Sequence, residues 1–306
     1  DILTPETGST TNRSEVEVTG QSVEQTDIQI TVNGTLQPDI IPANSQGQFK
    51  ATVPLTEGDN QITVAAAYRD RGVYGDSSAP VTVTLDSTAP DAPQGLTAQS
   101  KPLGQIALGW SSVDKAEGYR IYRATEPFDV AQGITLLTGE PQAGTTYQDL
   151  PGEDGEYYYR VIAVNKLGTE SEPSTPASAT SDSTAPQATE IRYTPHGSHD
   201  PATGRYGPGQ IDVEVEVSEP LKTTPYLALT VSGGTPMVTE LRKDYGSDTL
   251  YTGEFVIPET AISGTAMAVF SAHDKVGNRG TEVLEGGPGS QPAQPEPQLA
   301  HPERPG

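Results

Sequence analysis

A verbatim repeat constrains this chain more than any other feature. The pentapeptide Asp86-Ser-Thr-Ala-Pro90 recurs as Asp182-Ser-Thr-Ala-Pro186, a spacing of 96 residues between positions 86 and 182. That spacing is about the length of one β-sandwich domain. Proline blocks the continuation of a strand and stiffens a connection. The repeat therefore predicts linkers at 87–90 and 182–186, which separate blocks at 1–86, 91–181 and 187–285.

Apolar and polar residues alternate with a period of two in all three blocks. Residues 28–32 and 211–217 are clear cases, and Asn33-Gly34 after the first of them is a strong hairpin signal. The 32 Gly and 27 Pro residues suit many short strands and turns, and 33% hydrophobic residues suit several small cores. No stretch shows a sustained helical period, so we predict an all-β chain.

Charge and composition exclude several functions. A net charge of −23 repels nucleic acid and anionic membrane surfaces, so neither is expected as a partner. The absence of cysteine excludes disulfides, thiolate catalysis and cysteine-ligated zinc. The sequence contains no run of about 18 apolar residues, so direct membrane insertion is not expected. The chain begins with Asp1, so we expect a mature product or fragment, with any export signal or anchor outside it.

The middle block carries an ordered series of motifs. Trp110 ends an alternating segment, and the Tyr-rich run from Tyr157 to Asn165 comes later. In this order the motifs resemble those of fibronectin type III domains across the whole block. The resemblance implies that Trp110 is the core tryptophan of the second strand. It also implies that Tyr157 is the corner tyrosine whose hydroxyl bonds to the backbone, with Tyr158 as the rival for that role.

The outer blocks carry a different set of motifs. Residues 47–64 of the first block, and the Ser218-Glu-Pro-Leu221 and Asp274-x-x-Gly277-Asn278 patterns of the third, resemble bacterial Ig-like domains. The resemblances together imply three tandem Ig-like and fibronectin type III β-sandwiches in an elongated array. Residues 286–306 are rich in Pro and Gly and are expected to form a disordered tail.

The resemblance to bacterial Ig-like surface proteins also implies a cation. In such proteins a strand-end Asp before a Thr-Ala-Pro-like linker helps to bind interdomain Ca²⁺. The candidate ligands here are Asp86, Asp91, Asp182, Asp274 and Asn278. The alternative is that Asp-Ser-Thr is simply a favourable turn sequence. No other cofactor is expected.

Catalytic motifs are not apparent in the sequence. It contains no nucleophile elbow, Walker loop, dinucleotide fingerprint or metalloprotease motif. The His196-x-x-His199-Asp200 cluster could bind a transition metal, but a solvated loop is favoured because a third protein ligand is not apparent. The tyrosines of the middle block could stack on sugars, but core packing is favoured. The acidic residues among 212–216 are interpreted as a solvated sheet face.

Three functions remain open. The first is a non-catalytic, monomeric spacer in a secreted or cell-surface bacterial protein, which projects other domains and serves adhesion. The second is the accessory region of a large extracellular polysaccharide-degrading enzyme. The third is a module that binds carbohydrate or a surface protein, which requires an exposed aromatic platform. In the first two functions the partners are other domains of a larger polypeptide. The two differ only in what those domains do, and those domains lie outside this sequence.

Overall fold

The computed structural model describes residues 1–129 and 134–284 and the backbone of the strand Gln298–Leu299. These residues form 27 strands and no helix, which confirms the all-β class. Among them there is accordingly no helix long and apolar enough to cross a membrane. The tail predicted at 286–306 lies outside the described residues, apart from Gln298–Leu299.

The strands divide between two compact units. The first unit comprises Asp1–Thr97, Gly109–Thr146 and Tyr158–Ala177, and the second comprises Ala98–Leu108, Tyr147–Tyr157 and Ser178–Gly306. Apart from Gln298–Leu299, each sheet draws its strands from a single one of the three predicted blocks. The positions of the block boundaries stay predictions.

The first block forms two sheets around one core. Its strands are β1 (Ile2–Thr4), β2 (Ser9–Thr11), β3 (Glu15–Gln21), β4 (Thr26–Val32), β5 (Thr35–Leu36), β6 (Ile41–Pro42), β7 (Gln48–Pro54), β8 (Gly58–Tyr68) and β9 (Val81–Leu85). One sheet has the order β1-β3-β7, and the other has the order β2-β9-β8-β4-β5, with β6 also paired to β4. Every second residue of β4 is buried, since one face of a strand packs inward. The core consists of Val18, Ile28, Ile30, Val32, Phe49, Val53, Leu55, Ile62, Val64, Val83 and Leu85.

One pairing in this block is parallel. Strand β2 runs alongside β9, with Ser9 opposite Val83 and Thr11 opposite Leu85. Backbone hydrogen bonds extend the pairing at both ends: Gly8 N donates to Thr82 O (2.7 Å) and Asp86 N donates to Thr11 O (2.9 Å). The start of the block is therefore tied to its end.

The predicted Asn33-Gly34 hairpin is present. It joins β4 to β5, and both turn residues have positive φ (49° and 78°), as a type I′ turn requires. The Asn33 side chain also donates to the Oδ1 atom of Asn60 (2.9 Å), a fully buried amide. Asn60 in turn bonds the backbone of Thr56 and Gly58. This network fixes the turn that contains Glu57.

The middle block also forms two sheets. Its strands are β10 (Thr97–Lys101), β11 (Gln105–Gly109), β12 (Ala116–Ala124), β13 (Thr135–Leu136), β14 (Thr146–Asp149), β15 (Gly155–Asn165) and β16 (Ala177–Ser181). The sheet orders are β10-β11-β14 and β13-β12-β15-β16. In the first unit, β12 and β15 pair antiparallel from Ala116 opposite Asn165 to Ala124 opposite Tyr158.

The third block belongs to the second unit. Its strands are β17 (Ala188–Pro195), β18 (His199–Asp200), β19 (Arg205–Tyr206), β20 (Gly209–Val217), β21 (Tyr226–Val231), β22 (Met237–Thr239), β23 (Arg242–Lys243), β24 (Leu250–Ile257), β25 (Gly264–His273) and β26 (Arg279–Gly280). A further strand, β27 (Gln298–Leu299), lies beyond the block and joins one of its sheets. The sheet orders are β17-β20-β24-β23 and β18-β19-β27-β25-β21-β22, with β26 paired to β25. Four alternate residues of β20 are buried, as predicted: Ile211, Val213, Val215 and Val217. They join a core with Leu227, Leu229, Phe255 and Phe270 among its members.

The third block ends in a short antiparallel pair. After the Asp274 turn the chain forms β26, which pairs with β25, and Val283 makes an isolated bridge to Ala188. The backbone approaches closely at Gly280, where an added Cβ atom would lie 1.6 Å from the carbonyl oxygen of Pro186. That approach leaves no room for a side chain, so only glycine fits at position 280 of β26.

Candidate metal centre

Three carboxylates meet in the second unit. Asp182 follows β16, Glu219 lies two residues after β20, and Asp274 follows β25, so each stands just beyond the end of a strand. One oxygen from each lies within 4.8 Å of the other two. Asp274 is fully buried, and Asp182 and Glu219 are half-buried. The structure thus brings together two of the predicted ligands and adds Glu219, which the sequence analysis did not single out.

Asp274 is held by the turn that it begins. Its Oδ1 atom accepts from the backbone N–H groups of Gly277 (2.6 Å) and Asn278 (2.9 Å), and its own N–H donates to Asn278 O (3.2 Å). Gly277 has a φ of 105°, which favours glycine at that position. The predicted Asp-x-x-Gly-Asn turn therefore fixes a buried carboxylate in place.

Asn278 links this turn to the second linker motif, which we define as Asp182–Pro186. The side-chain amide is 2% exposed. Its Nδ2 atom donates to Asp274 Oδ2 (2.7 Å), Asp182 O (2.9 Å) and Thr184 O (3.2 Å). Its Oδ1 atom accepts from Leu103 N (2.6 Å). Asn278 thus lies beside the carboxylates with its side-chain oxygen engaged by the backbone, and its role as a calcium ligand stays a prediction.

The electrostatics of the cluster are repulsive. Burial raises the pKa of the Asp182 carboxyl, and the nearby charges of Asp274 and Asp154 raise it further, against a hydrogen bond from Thr184 N–H that lowers it. Burial likewise raises the pKa of Glu219, followed by the charges of Asp182, Asp274 and Asp154. A bound cation would relieve this repulsion, and hard cations such as Ca²⁺ prefer carboxylate oxygens. The donor set therefore fits Ca²⁺.

A fourth acid caps the second linker motif. The Oδ1 atom of Asp154 accepts from Ser183 N (2.7 Å) and its Oδ2 atom accepts from the Thr184 hydroxyl (2.8 Å). These hydrogen bonds, that of the Thr184 hydroxyl first, hold the pKa of Asp154 below its usual value. Asp154 therefore stays ionised at neutral pH. Asp154 was not among the residues predicted from the sequence.

The first linker motif, Asp86–Pro90, repeats part of this geometry within the first unit. Thr88 N donates to Asp86 Oδ1 at 3.1 Å, the same distance as from Thr184 N to Asp182 Oδ1. Hydrogen bonding by Thr88 lowers the pKa of Asp86, and the charge of Lys115 contributes in the same direction. Asp86 and the exposed Asp91 are not part of the carboxylate cluster. Their role as calcium ligands stays a prediction.

The two histidines of the predicted metal alternative have different partners. His196 Nε2 lies 2.7 Å from Asp212 Oδ2, on the acidic face of β20. The His199 ring stacks on Tyr206, with centroids 4.9 Å apart and an interplanar angle of 17°. Asp200 accepts from Ala202 N (2.9 Å) and the Thr203 hydroxyl (2.6 Å), which closes the turn between β18 and β19. These contacts suit a structured turn.

The aromatic residues of the middle block are largely buried. In the first unit, Trp110 is 7% exposed and meets Tyr119 edge to face at 5.4 Å between centroids. In the second unit, the buried Tyr157 donates its hydroxyl hydrogen to Glu153 O (3.1 Å), which is the geometry of a corner tyrosine. Tyr158 is half-buried. The buried rings of Trp110, Tyr119 and Tyr157 are therefore not available for stacking on sugars.

Comparison with known proteins gives local similarity only. No protein-family model matches this sequence. Over 90 residues, 29% of the chain, it is 39% identical to the amylopullulanase of Thermoanaerobacterium saccharolyticum, of which the match covers 7%. It is 36% identical over 91 residues (30% of the chain) to bacillopeptidase F of Bacillus subtilis strain 168, covering 6% of that protein. It is 31% identical over 142 residues (42% of the chain) to exoglucanase B of Cellulomonas fimi, covering 13% of it.

The chain therefore spans 13% or less of the length of these relatives, and each match is a small part of a much longer polypeptide. Among solved structures, it is similar to an Fn3-like protein from Clostridium thermocellum. That match has 29% sequence identity and a TM-score of 0.26, and it covers 30% of this chain and 92% of the other.

Proposed function

We propose that this chain is a non-catalytic accessory region of a secreted multidomain protein, in which it spaces neighbouring modules. The proposal rests on the hydrogen bonds by which an acidic residue in a turn holds each linker motif. We call these two acids, Glu57 and Asp154, the braces. Glu57 accepts from Ser87 N (3.2 Å) and the Ser87 hydroxyl (2.8 Å). Asp154 accepts from Ser183 and Thr184 at the second motif. A linker with its donors engaged loses freedom and can transmit spacing.

A large extracellular polysaccharide-degrading enzyme is the host that we propose. The similarity to segments of an amylopullulanase and an exoglucanase supports this host, as does the absence of a catalytic motif in the sequence. The partners would be the other domains of that polypeptide, and the location would be outside the cell. We expect the chain alone to release no reducing sugar from starch, pullulan or cellulose. Hydrolysis of any of them would overturn the non-catalytic assignment.

Distance measurements between spin labels test the spacer role. The chain has no cysteine, so two introduced cysteines carry the only labels. Exposed positions Gln61 and Glu172 report on the first unit, and Lys101 and Glu240 report on the second. We expect a narrow distance distribution for each pair.

Removal of each brace should broaden one distribution. Glu57→Ala should broaden the first pair and Asp154→Ala the second, while the matched exposed controls Glu24→Ala and Glu259→Ala should change neither. Distributions that are broad in the unaltered chain and insensitive to these variants would exclude the spacer role.

We further propose that Ca²⁺ binds between Asp182, Glu219 and Asp274. The support is the meeting of three carboxylates at strand ends and the raised pKa values of two of them. Extracellular calcium sites bind with dissociation constants on the order of 0.1–1 mM. At about ten times that constant, linkage stabilises the folded state by about 1.4 kcal/mol.

Calorimetry with calcium, magnesium or chelator tests the calcium site. A stabilisation of that size raises the unfolding midpoint by about 5–10 °C. Magnesium should act more weakly, since it requires near-octahedral geometry and gives up water reluctantly. Identical melting in chelator and in millimolar calcium would show that the site does not exist.

A further inference from the structure

We infer that Asn165 braces the first linker motif in place of the Asp274–Asn278 pair, so that the first motif is held without a cation. The inference rests on the calcium site proposed at the second motif, because the first motif is compared with that site. It is drawn from the geometry of two turns that differ in sequence. One is Asn165-Lys-Leu-Gly-Thr169 and the other is Asp274-Lys-Val-Gly-Asn278.

The two turns have matching backbone hydrogen bonds. The N–H of Asn165 donates to Thr169 O (3.0 Å), as that of Asp274 does to Asn278 O (3.2 Å). The Asn165 side-chain oxygen accepts from Leu167 N (2.9 Å) and Thr169 N (2.9 Å). The Asp274 Oδ1 atom likewise accepts from two N–H groups of its own turn, those of Gly277 (2.6 Å) and Asn278 (2.9 Å). The bond from the fifth residue is common to both turns, and the other bond comes from one residue later at Asp274. Asn165 and Asp274 are therefore equivalent positions.

The turns differ in how they reach the linker. At the first motif, Asn165 Nδ2 donates directly to Thr88 O (3.1 Å). At the second motif the equivalent acceptor is Thr184 O, and its donor is Nδ2 of Asn278 (3.2 Å), which Asp274 orients. One uncharged amide thus performs at the first motif what a carboxylate and an amide perform together at the second.

This difference removes one buried negative charge from the first motif. Thr169, at the position equivalent to Asn278, instead uses its hydroxyl oxygen to accept from Asn12 Nδ2 of the first block (3.2 Å). Within the described residues the cluster of three carboxylates lies at the second motif and includes neither Asp86 nor Asp91. The linker carbonyl accepts a hydrogen bond at both motifs, but the first motif carries less negative charge and so has less repulsion for a divalent cation to relieve.

Hydrogen–deuterium exchange on the whole chain distinguishes the two motifs. In calcium at about ten times its dissociation constant, amides of residues 183–185 and 275–278 should exchange about tenfold more slowly than in chelator. Amides of residues 87–89 and 166–169 should exchange at the same rate in both. Slowing at both motifs would overturn the inference and leave the calcium proposal standing. If exchange at neither motif responds to calcium, the calcium proposal is overturned. The Asn165 variants described next then test whether Asn165 holds the first linker motif.

Two sets of variants complete the test. Asn165→Asp keeps the side-chain oxygen that accepts within the turn but loses the donor to Thr88, so residues 87–89 should exchange faster with and without calcium. Unchanged exchange in this variant would overturn the brace, and native Trp110 fluorescence shows that the block is folded. The double variant Asp274→Asn with Asn278→Thr copies the first turn into the second. It should lose the calcium response at residues 183–185, and a retained response would count against the assignment.

Discussion

At the scale of single residues, the position of a carboxyl group decides whether ionisation stabilises the fold. Asp182 and Glu219 have raised pKa values because they are partly buried among other acids. Because their folded-state pKa values exceed the unfolded ones, these two carboxyls, when no cation is bound, contribute to the stability of the fold at low pH, where they are protonated. That contribution is lost as the pH rises through the folded-state values. Asp154 behaves in the opposite sense, since hydrogen bonds lower its pKa.

Glu219→Gln tests this residue-scale argument. In chelator at pH 7 the variant should melt slightly higher than the unaltered chain, because it removes one member of a repulsive group. In calcium the order should reverse, because the variant loses a ligand. The matched control Glu259→Gln, an exposed acid of the same block, should alter neither midpoint. A Glu219 variant that loses stability in chelator would contradict the repulsion.

Trp110 is expected to anchor the middle block. It is buried against Tyr119, whose hydroxyl accepts from Val113 N (2.9 Å). Trp110→Ala should cost about 3–5 kcal/mol, a large share of a typical domain stability of about 5–15 kcal/mol. Denaturant unfolding followed by circular dichroism measures the loss, and Trp110→Phe should lose less. Native emission should be blue-shifted and poorly quenched by iodide, whereas red, freely quenched emission would indicate an exposed ring.

At the scale of elements, the strands were predictable and the site was only partly so. Alternation in segments such as 28–32 and 211–217 reports directly which face of a strand is buried, and both segments are strands. The Asn33-Gly34 hairpin followed from local turn chemistry. Asp182 and Asp274 were predicted as calcium ligands from the linker repeat and the resemblance to bacterial Ig-like proteins, and both lie in the carboxylate cluster. The third carboxylate, Glu219, depends on which strand ends come together, and one sequence does not contain that information.

Glu57 and Asp154, the acids that hold the two linker motifs, share a pattern in the sequence. Glu57-Gly58 and Asp154-Gly155 each place an acid and a glycine at the entry to an eleven-residue strand, β8 and β15. Their spacing, from position 57 to position 154, is 97 residues and nearly equals that of the linker motifs. A recurrence so close to the repeat length could have indicated that the acids act on the linkers.

Asn60→Ala tests how one turn element supports the first linker motif. The variant removes the amide that bonds Thr56 and Gly58 on either side of Glu57. It removes three hydrogen bonds to the backbone of this half-exposed turn, each worth about 0.5–1.5 kcal/mol. We expect a lower melting midpoint and faster exchange of the Ser87 amide. The neighbouring exposed variant Gln61→Ala should change neither, and an unshifted midpoint for Asn60→Ala would argue against the role.

At the scale of the whole molecule, charge is the dominant property. With 41 acidic and 18 basic residues, the folded chain repels itself. Exposed ion pairs such as Lys50–Glu17 (2.6 Å), whose side chains are 69% and 52% exposed, add little stability. Repulsion among the excess negative charges should therefore outweigh the stabilisation from these ion pairs.

Monovalent salt tests this balance. Raising NaCl from about 10 to 150 mM shortens the screening length from about 30 to 8 Å, so every calorimetric transition should move upward. KCl should act equally, because screening depends on ionic strength and not on a binding site. Calcium measurements need constant ionic strength for the same reason. A midpoint that falls with salt would mean that attractive surface pairs dominate.

The parallel pairing of β2 with β9 has a mechanical consequence. Tension applied through the two ends of the first block would slide these strands along each other, so their hydrogen bonds carry load together and must rupture together. An isolated parallel bridge, Ala188 with Val283, is the counterpart in the third block. In single-molecule pulling we expect the first block to rupture at a higher force than the third, and the reverse order would refute this. A module placed between two tethered domains would then yield under tension at its third block before its first.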